Sequence, residues 1–223
     1  MSRRGIVYLH GFASSPRSSK ARYFAGRAAA RHVPFACPDL NLPDFGSLTV
    51  SRMIAQVDEA VDRLTDGPVA LVGSSLGAFV ALHANAARRR APRPSHSIDR
   101  LVLLAPALDL AASLAQGFGP DRMASWERTG RLAVFHYAEN AERPLGWPFM
   151  LDVRRYDALE LANETPTLIY QGRRDTVVDP VAVERFASAR PWITLRLVDD
   201  DHQLLDHLDV IWADVAHFLE MEA

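Results

Sequence analysis

Short apolar runs alternate with longer stretches of helical periodicity along most of the chain. Continuous runs of β-branched and aliphatic residues are typical of strands that are buried on both faces of a parallel sheet. Strands of this kind are predicted at residues 5–10, 33–37, 69–73, 101–105, 167–171 and 193–198. Helices are predicted near residues 18–31, 49–64, 76–89, 152–161, 180–189 and 204–220. The alternation predicts an α/β fold, with a mostly parallel sheet flanked by helices.

One stretch, residues 108–150, interrupts this alternation and contains several glycines and large aromatic residues. A connection of this length inside a compact domain is seldom structureless. We therefore expect an inserted cap or lid over a site, the alternative being an extra helical layer packed on the sheet. Trp126, Trp147 and Phe149 are candidates for a substrate pocket in the first case and for packing in the second.

The composition indicates one globular domain. A chain of 223 residues fits one large α/β domain, so residues 1–223 are taken as a single unit. Hydrophobic residues make up 48% and charged residues 23%, which excludes wholesale disorder. The single Cys37 cannot form an internal disulfide. A formal net charge of -2 gives no electrostatic reason to expect nucleic acid as a partner.

The first residues are not expected to form a secretory signal. Basic residues precede an apolar run, but this run ends at His10 and Gly11, far short of the apolar region of a signal peptide. No apolar stretch approaches the roughly 20 residues of a membrane span. We therefore expect no membrane span and a cytoplasmic location.

The most informative motif is GSSLG at residues 73–77, between a predicted buried strand and a predicted helix. A sharp strand-to-helix turn with this pattern is the context of a nucleophile elbow, GxSxG. The turn presents the Ser75 hydroxyl at the carboxyl end of the strand, and the helix N-terminus offers free N–H groups to a developing oxyanion. Ser75 is therefore a candidate nucleophile, the alternative being a plain tight turn.

A serine nucleophile needs a general base, because its hydroxyl is weakly nucleophilic at neutral pH. Among the eight histidines, His202 follows the last predicted strand, where a loop places it at the same sheet edge as Ser75. His207 is predicted to lie within the following helix, as a surface or packing residue. We favour His202 as the base, with no catalytic role for the other histidines.

An acidic residue is needed to orient the histidine. Asp175 follows the predicted strand at residues 167–171 and precedes a helix. Asp179 is interpreted as the N-cap of the helix that begins at Pro180. Asp109, which follows the preceding strand, is the alternative acid.

The oxyanion hole needs two backbone donors. The N–H of Leu76 is one candidate. Gly11 lets the chain turn after the first strand and aim the N–H of Phe12 at a substrate carbonyl. The alternative for this segment is an ordinary strand-to-loop turn.

The segments YLHGF, VGSSLG, QGRRDTVVD and DDDH, in this order, resemble an α/β-hydrolase over nearly the whole chain. Within that superfamily, YLHGFASSPRSSKA followed by LVGSSLGAFVAL resembles the small bacterial YqiA-like esterases. The resemblance implies Ser75 as nucleophile, with Asp175 and His202 as its partners. It also implies a small-molecule ester or thioester of a carboxylic acid as substrate. The chain departs from the family in a longer segment at 108–150 and in an acidic run at 199–201, where small residues are common.

No cofactor is expected. No cluster of His, Cys, Asp and Glu has the spacing of a metal site, and there is no glycine-rich phosphate loop. The predicted function is hydrolysis of a carboxylic ester or thioester through an acyl-enzyme. A peptidase or amidase and a C–C hydrolase would use the same triad, and a non-catalytic binding protein on a hydrolase scaffold is the alternative outside enzymes.

Overall fold

A six-stranded parallel sheet forms the centre of the fold. The protein is described by a computed structural model that covers residues 4–64, 67–91, 96–162 and 164–221. The strands are β1 Gly5–Leu9, β2 Phe35–Ala36, β3 Val69–Ser74, β4 Ile98–Leu104, β5 Arg131–His136, β6 Ala141–Gly146, β7 Thr167–Gly172 and β8 Ile193–Val198. The order in the large sheet is β2-β1-β3-β4-β7-β8, whereas β5 and β6 form a separate antiparallel hairpin. The predicted fold class is confirmed.

Helices cover both faces of the large sheet. They are α1 Ser19–Ala29, α2 Val50–Leu64, α3 Leu76–Arg90, α4 Leu110–Phe118, α5 Pro120–Thr129, α6 Trp147–Val153, α7 Pro180–Ser188 and α8 Leu208–Phe218, with a 3-10 helix at Phe45–Ser47. Successive side chains of a strand point to opposite faces. Ile6 and Tyr8 accordingly pack with α1 and α8 in one buried cluster, while Val7 and Leu9 pack with α2 and α3 in another.

Two predicted helices differ from the structure. The helix predicted at residues 152–161 is wrong, because α6 begins earlier, with Pro148 in its first turn, and ends at Val153. The helix predicted at 204–220 begins only at Leu208. Leu204 has a positive φ of 53°, which a right-handed helix cannot contain. His207 is therefore the N-cap residue of α8, and the prediction that it lies within the helix is wrong.

Residues 108–150 fold as α4, α5, the β5–β6 hairpin and the start of α6. Trp126 is fully buried, donates its indole N–H to the Leu145 carbonyl oxygen over 2.9 Å, and meets Trp147 edge to face. These side chains belong to the same buried cluster as those of α2 and α3, so this part of the segment packs as a layer on the main core. None of the helices in the described ranges is long and apolar enough to cross a lipid bilayer.

Candidate active site

Ser75 occupies the sharp turn between β3 and α3. Its backbone has φ 54° and ψ -114°, a strained conformation for a residue with a side chain. The Ser75 N–H donates to the Leu104 carbonyl oxygen over 2.9 Å and ties the turn to β4. A Cβ at Gly73 would lie 2.6 Å from the Ala78 Cα, and one at Gly77 would clash with the Leu9 backbone. The two glycines therefore allow α3 to pass close enough to the sheet for the turn to form.

Asp175 and His202 meet at the carboxyl edge of the sheet, beyond β7 and β8. The distance from His202 Nδ1 to Asp175 Oδ2 is 2.8 Å. The Asp175 side chain is fully buried, while 15% of the His202 side chain is exposed. The other carboxylate oxygen, Oδ1, accepts the N–H groups of Val177 and Val178, each over 2.8 Å. The carboxylate is thus held in one orientation toward the imidazole.

The charge state of Asp175 determines which imidazole nitrogen carries the proton. Burial raises the pKa of Asp175, but the hydrogen bonds from His202, Val178 and Val177 outweigh it and hold that pKa below its usual value. An ionised carboxylate can only accept hydrogen bonds, so the neutral imidazole must donate from Nδ1. The lone pair of His202 Nε2 is then free to accept a proton.

His10 shapes the loop after β1. Its Nε2 accepts the Leu40 N–H over 3.0 Å, so the hydrogen of the neutral ring lies on Nδ1, which is 2.9 Å from the Gly11 carbonyl oxygen. This buried ring therefore fixes the Gly11 peptide immediately before Phe12. Within the described ranges the Phe12 N–H makes no hydrogen bond. The N–H of Leu76, the first residue of α3, has no acceptor within its own helix.

A cavity of about 710 Å³ lies over this edge of the sheet, and its lining includes Gly11, Phe12, Ser75 and His202. No hydrogen bond joins the Ser75 hydroxyl to His202 in the part of the chain that the structure describes. Such bonds are often long before substrate binds and shorten in the complex. One cavity is therefore lined by the candidate nucleophile Ser75, the candidate base His202 and the loop residue Phe12.

The expected aromatic pocket requires a correction. Trp126, Trp147 and Phe149 belong to the buried core and do not line this cavity. The segment at 108–150 contributes Tyr137 and Ala138 instead, from the tip of the β5–β6 hairpin. The Tyr137 N–H donates to the Ala13 carbonyl oxygen over 3.0 Å, which fastens this tip to the loop after β1.

The acidic run at 199–201 does not face the His202 ring. Asp200 Oδ2 is 3.0 Å from His207 Nδ1 and also accepts the Asp206 N–H. Burial raises the pKa of Asp200, but His207 and the backbone donors outweigh it and hold that pKa below its usual value. Asp199 pairs with Arg174, and Asp201 accepts the Gln203 N–H. These carboxylates therefore fix the loop that contains His202 and do not bind the His202 imidazole, which contacts Asp175.

The competing acids have other partners. Asp109 Oδ1 accepts the Ala112 N–H over 3.1 Å at the start of α4, and Asp179 Oδ1 accepts the Val181 N–H over 2.9 Å at the start of α7. Both are N-caps, which confirms the capping role expected for Asp179. Neither carboxylate contacts His202.

Two residues of the site were not predicted. Gln171 donates its side-chain N–H to Asp175 Oδ2 over 2.8 Å, and Lys20 donates to the Gln203 carbonyl oxygen over 2.7 Å. The available signal was a polar residue at the end of an apolar strand for Gln171, and the segment SSPRSSKA for Lys20. In the described ranges, no group of three or more His, Cys, Asp and Glu residues is arranged to hold a metal ion.

Several solved structures with a similar fold are named as hydrolases or esterases. A putative hydrolase from Agrobacterium vitis S4 superposes with a TM-score of 0.84 at 22% identity, over 97% of this chain and 88% of that one. Mouse alpha/beta hydrolase domain-containing protein 10 gives 0.77 at 20% identity, over 97% and 89%. Est1E from Butyrivibrio proteoclasticus gives 0.76 at 19% identity, over 98% and 88%. The predicted α/β-hydrolase fold is therefore confirmed.

The sequence comparisons add one relative and a family. The chain is 35% identical to lipase LipV of Mycobacterium tuberculosis over 85 residues, a match that spans 36% of this chain and only 30% of the lipase. Residues 5–220 match the uncharacterised protein family UPF0227. With nearly its whole length in that match, the chain belongs to UPF0227, the YqiA-like family that its motifs resemble.

Proposed function

We propose that the chain is a serine hydrolase that cleaves a carboxylic ester or thioester. The observation that carries this proposal is the hydrogen bond from His202 Nδ1 to the buried Asp175 carboxylate. It leaves Nε2 as a proton acceptor in the cavity onto which Ser75 opens. The strained Ser75 turn and the free N–H groups beside it also support this function, because a simple structural turn needs neither.

In the proposed mechanism, Ser75 Oγ attacks the acyl carbonyl carbon while His202 Nε2 takes the hydroxyl proton. The N–H groups of Phe12 and Leu76 donate to the oxyanion of the tetrahedral intermediate. This intermediate collapses to an acyl-serine, and the departing alkoxide or thiolate takes the proton from His202. Water then attacks the acyl-serine and transfers its proton to His202. The acid leaves, and the proton returns to Ser75.

The role proposed for the 108–150 segment is limited to the tip of its hairpin. Tyr137 is 75% exposed, lines the cavity and is tied to the loop after β1 through its N–H. We propose that this tip is the cap edge that contacts the substrate. Trp126 contacts the other end of the same hairpin, where its indole N–H donates to the Leu145 carbonyl oxygen.

The proposal is tested by Ser75→Ala, with Ser74→Ala as a matched control at the adjacent residue. We expect kcat for a p-nitrophenyl ester to fall by several orders of magnitude in the first variant and to stay within about tenfold of wild type in the second. Circular dichroism establishes that both variants are folded. Ester turnover at the wild-type rate by folded Ser75→Ala protein would overturn the mechanism.

The same pair of variants separates the alternative functions. An anilide of the same acyl group tests for amidase activity, and a 1,3-diketone that carries the same acyl group, whose cleavage releases a stabilised enolate, tests for C–C cleavage. A binding protein on this scaffold would hydrolyse none of these compounds in a Ser75-dependent way.

A further inference from the structure

One wall of the cavity is strongly basic. The wall at the start of α1 includes Arg17, Lys20 and Arg22. No Asp or Glu is among the described residues that line the cavity. This local excess of positive charge contrasts with the formal net charge of -2 for the whole chain. A cleft lined by charges of one sign concentrates ligands of the opposite sign.

The two arginines are available to a ligand. Both are exposed, and within the described ranges neither side chain makes a hydrogen bond, an ion pair or a ring contact. The guanidinium group is permanently charged, and its planar set of donors matches carboxylate and phosphate oxygens. Pairing with an anion would therefore require no existing protein contact to break.

Lys20 lies at the inner end of this wall, where the Asp201, Asp175 and Asp200 carboxylates partly offset its charge, so the two arginines carry most of the positive charge. Only 8% of Lys20 is exposed, yet it lines the same cavity as Ser75 and His202. Its ammonium group has three donors, and the hydrogen bond to the Gln203 carbonyl oxygen uses one of them. The Ser14, Ser18 and Ser19 residues of the same wall add hydroxyl groups to it.

Part of the cavity rim is apolar. Tyr137, Val177 and Leu205 line it and expose 75%, 62% and 43% of their surfaces. A ligand that fits both sides has an apolar part and an anionic group. An ester with two neutral apolar parts would leave the basic wall without a partner.

We propose that the wall formed by Arg17, Lys20 and Arg22 binds an anionic oxygen group, a carboxylate or a phosphate, on the ester or thioester that Ser75 cleaves. The inference rests on the proposed function, since it assigns the substrate class of the same site. The carbonyl group lies at Ser75, the apolar part contacts the rim, and the anionic group pairs with the arginines.

Matched ester pairs test this proposal. On the acyl side, mono-p-nitrophenyl adipate is compared with p-nitrophenyl methyl adipate. On the leaving-group side, the butanoate ester of 4-hydroxybenzoate is compared with that of methyl 4-hydroxybenzoate. In at least one pair we expect wild-type kcat/KM to be higher for the anionic ester than for the neutral one. The expected ratio is about tenfold or more, which corresponds to the free energy of one hydrogen bond to a charged group. This advantage should shrink as sodium chloride is added.

The variants locate the effect. Arg17→Gln/Arg22→Gln should reduce the anion-to-neutral ratio of kcat/KM by about tenfold. Arg89→Gln/Arg128→Gln removes the same charge from exposed residues outside the cavity and should leave the ratio unchanged. A wild-type preference for the neutral ester in both pairs, or equal ratios in the two double variants, would overturn the proposal. Competition by acetate and by inorganic phosphate shows which anion the wall prefers.

A binding measurement keeps this test independent of turnover. Calorimetry with 4-(butanoylamino)benzoate and its methyl ester, the amide counterparts of the leaving-group pair, needs no hydrolysis. Tighter binding of the anion, lost in Arg17→Gln/Arg22→Gln, would support the basic wall even if no ester were hydrolysed. In that case the proposed function would fail and the anion site would stand. If both esters were hydrolysed without charge preference, the proposed function would stand and the anion site would fail.

Discussion

The Lys20 ammonium group donates a hydrogen bond to the Gln203 carbonyl oxygen over 2.7 Å and so ties α1 to the loop that contains His202. Burial lowers the pKa of Lys20 to about 8, against the opposing effect of the Asp201, Asp175 and Asp200 carboxylates. Burying a cation is costly unless it is paired and hydrogen-bonded, and the Gln203 carbonyl oxygen and the nearby carboxylates supply those partners. We interpret Lys20 as a positioning residue for His202, in addition to its place in the basic wall.

Lys20→Met should lower kcat for a neutral ester by about tenfold with little change in KM, because a displaced histidine slows proton transfer more than binding. Wild-type kcat should also decline above about pH 8, where Lys20 loses its proton, and the variant should lack this decline. Steady-state kinetics at pH values on both sides of the Lys20 pKa of about 8 measure both effects. A variant profile with the same alkaline decline would rule out this role.

The stability of the same variant has a definite pH dependence. Folding lowers the pKa of Lys20 from 10.5 to about 8, so between these values the unfolded chain binds more protons than the folded one. The free energy of unfolding of the wild type should therefore rise with pH through this window relative to Lys20→Met. Urea titrations at pH values on both sides of the window measure the difference. A constant difference would contradict the burial of a charged lysine.

Asp175→Asn should reduce kcat by roughly three to four orders of magnitude, because an amide can favour the wrong imidazole tautomer. Asp109→Asn is the matched control. Its side chain caps α4, a role that asparagine performs well, so kcat should fall less than about tenfold. Both values are measured on one activated ester. The reverse ranking would move the acid to Asp109.

His202→Ala and His207→Ala form the corresponding pair for the base. The first should be nearly as damaging as Ser75→Ala, because no other imidazole contacts Asp175 in the described ranges. The second removes the contact to Asp200 at the start of α8 and should retain most activity. A dead His207→Ala variant beside an active His202→Ala variant would show that the base is misassigned.

Trp126→Ala and Tyr137→Ala distinguish core packing from the cap edge. Trp126 is fully buried and its loss should cost about 3 to 5 kcal/mol of unfolding free energy without changing chain-length preference. Tyr137 is exposed at the cavity, so its truncation should change the preference among p-nitrophenyl esters of graded length at little cost in stability. Selectivity that responds to Trp126 instead would restore the predicted aromatic pocket.

The strands of the large sheet could be predicted from the sequence because buried parallel strands have continuous apolar runs. Periodicity alone could not show that the helix predicted at 152–161 is absent. There Asp157 accepts the Leu159 N–H over 2.8 Å, a local turn that competes with a helix. Likewise, aromatic residue type does not distinguish a pocket from a core, and only the packing of Trp126 against Trp147 does so.

The candidate site was predictable to the extent that it follows from chain order. Ser75, Asp175 and His202 each follow a parallel strand, and such ends share one edge of a sheet. The contacts of Lys20 and Gln171 depend on side-chain direction across long sequence separations, which strand and helix patterns do not contain. The basic wall could not be predicted either, because it depends on the position of α1 and the preceding loop beside Ser75.

A fluorophosphonate, which reacts with an activated serine, tests directly whether Ser75 is the nucleophile. The folded protein is treated with the reagent, residual ester hydrolysis is followed, and the modified peptide is identified by mass spectrometry. We expect a single adduct on Ser75, formed in proportion to the activity lost, and no adduct on the Ser75→Ala variant. Loss of activity with Ser75 unmodified, or an adduct on another residue that tracks the loss, would contradict this role of Ser75.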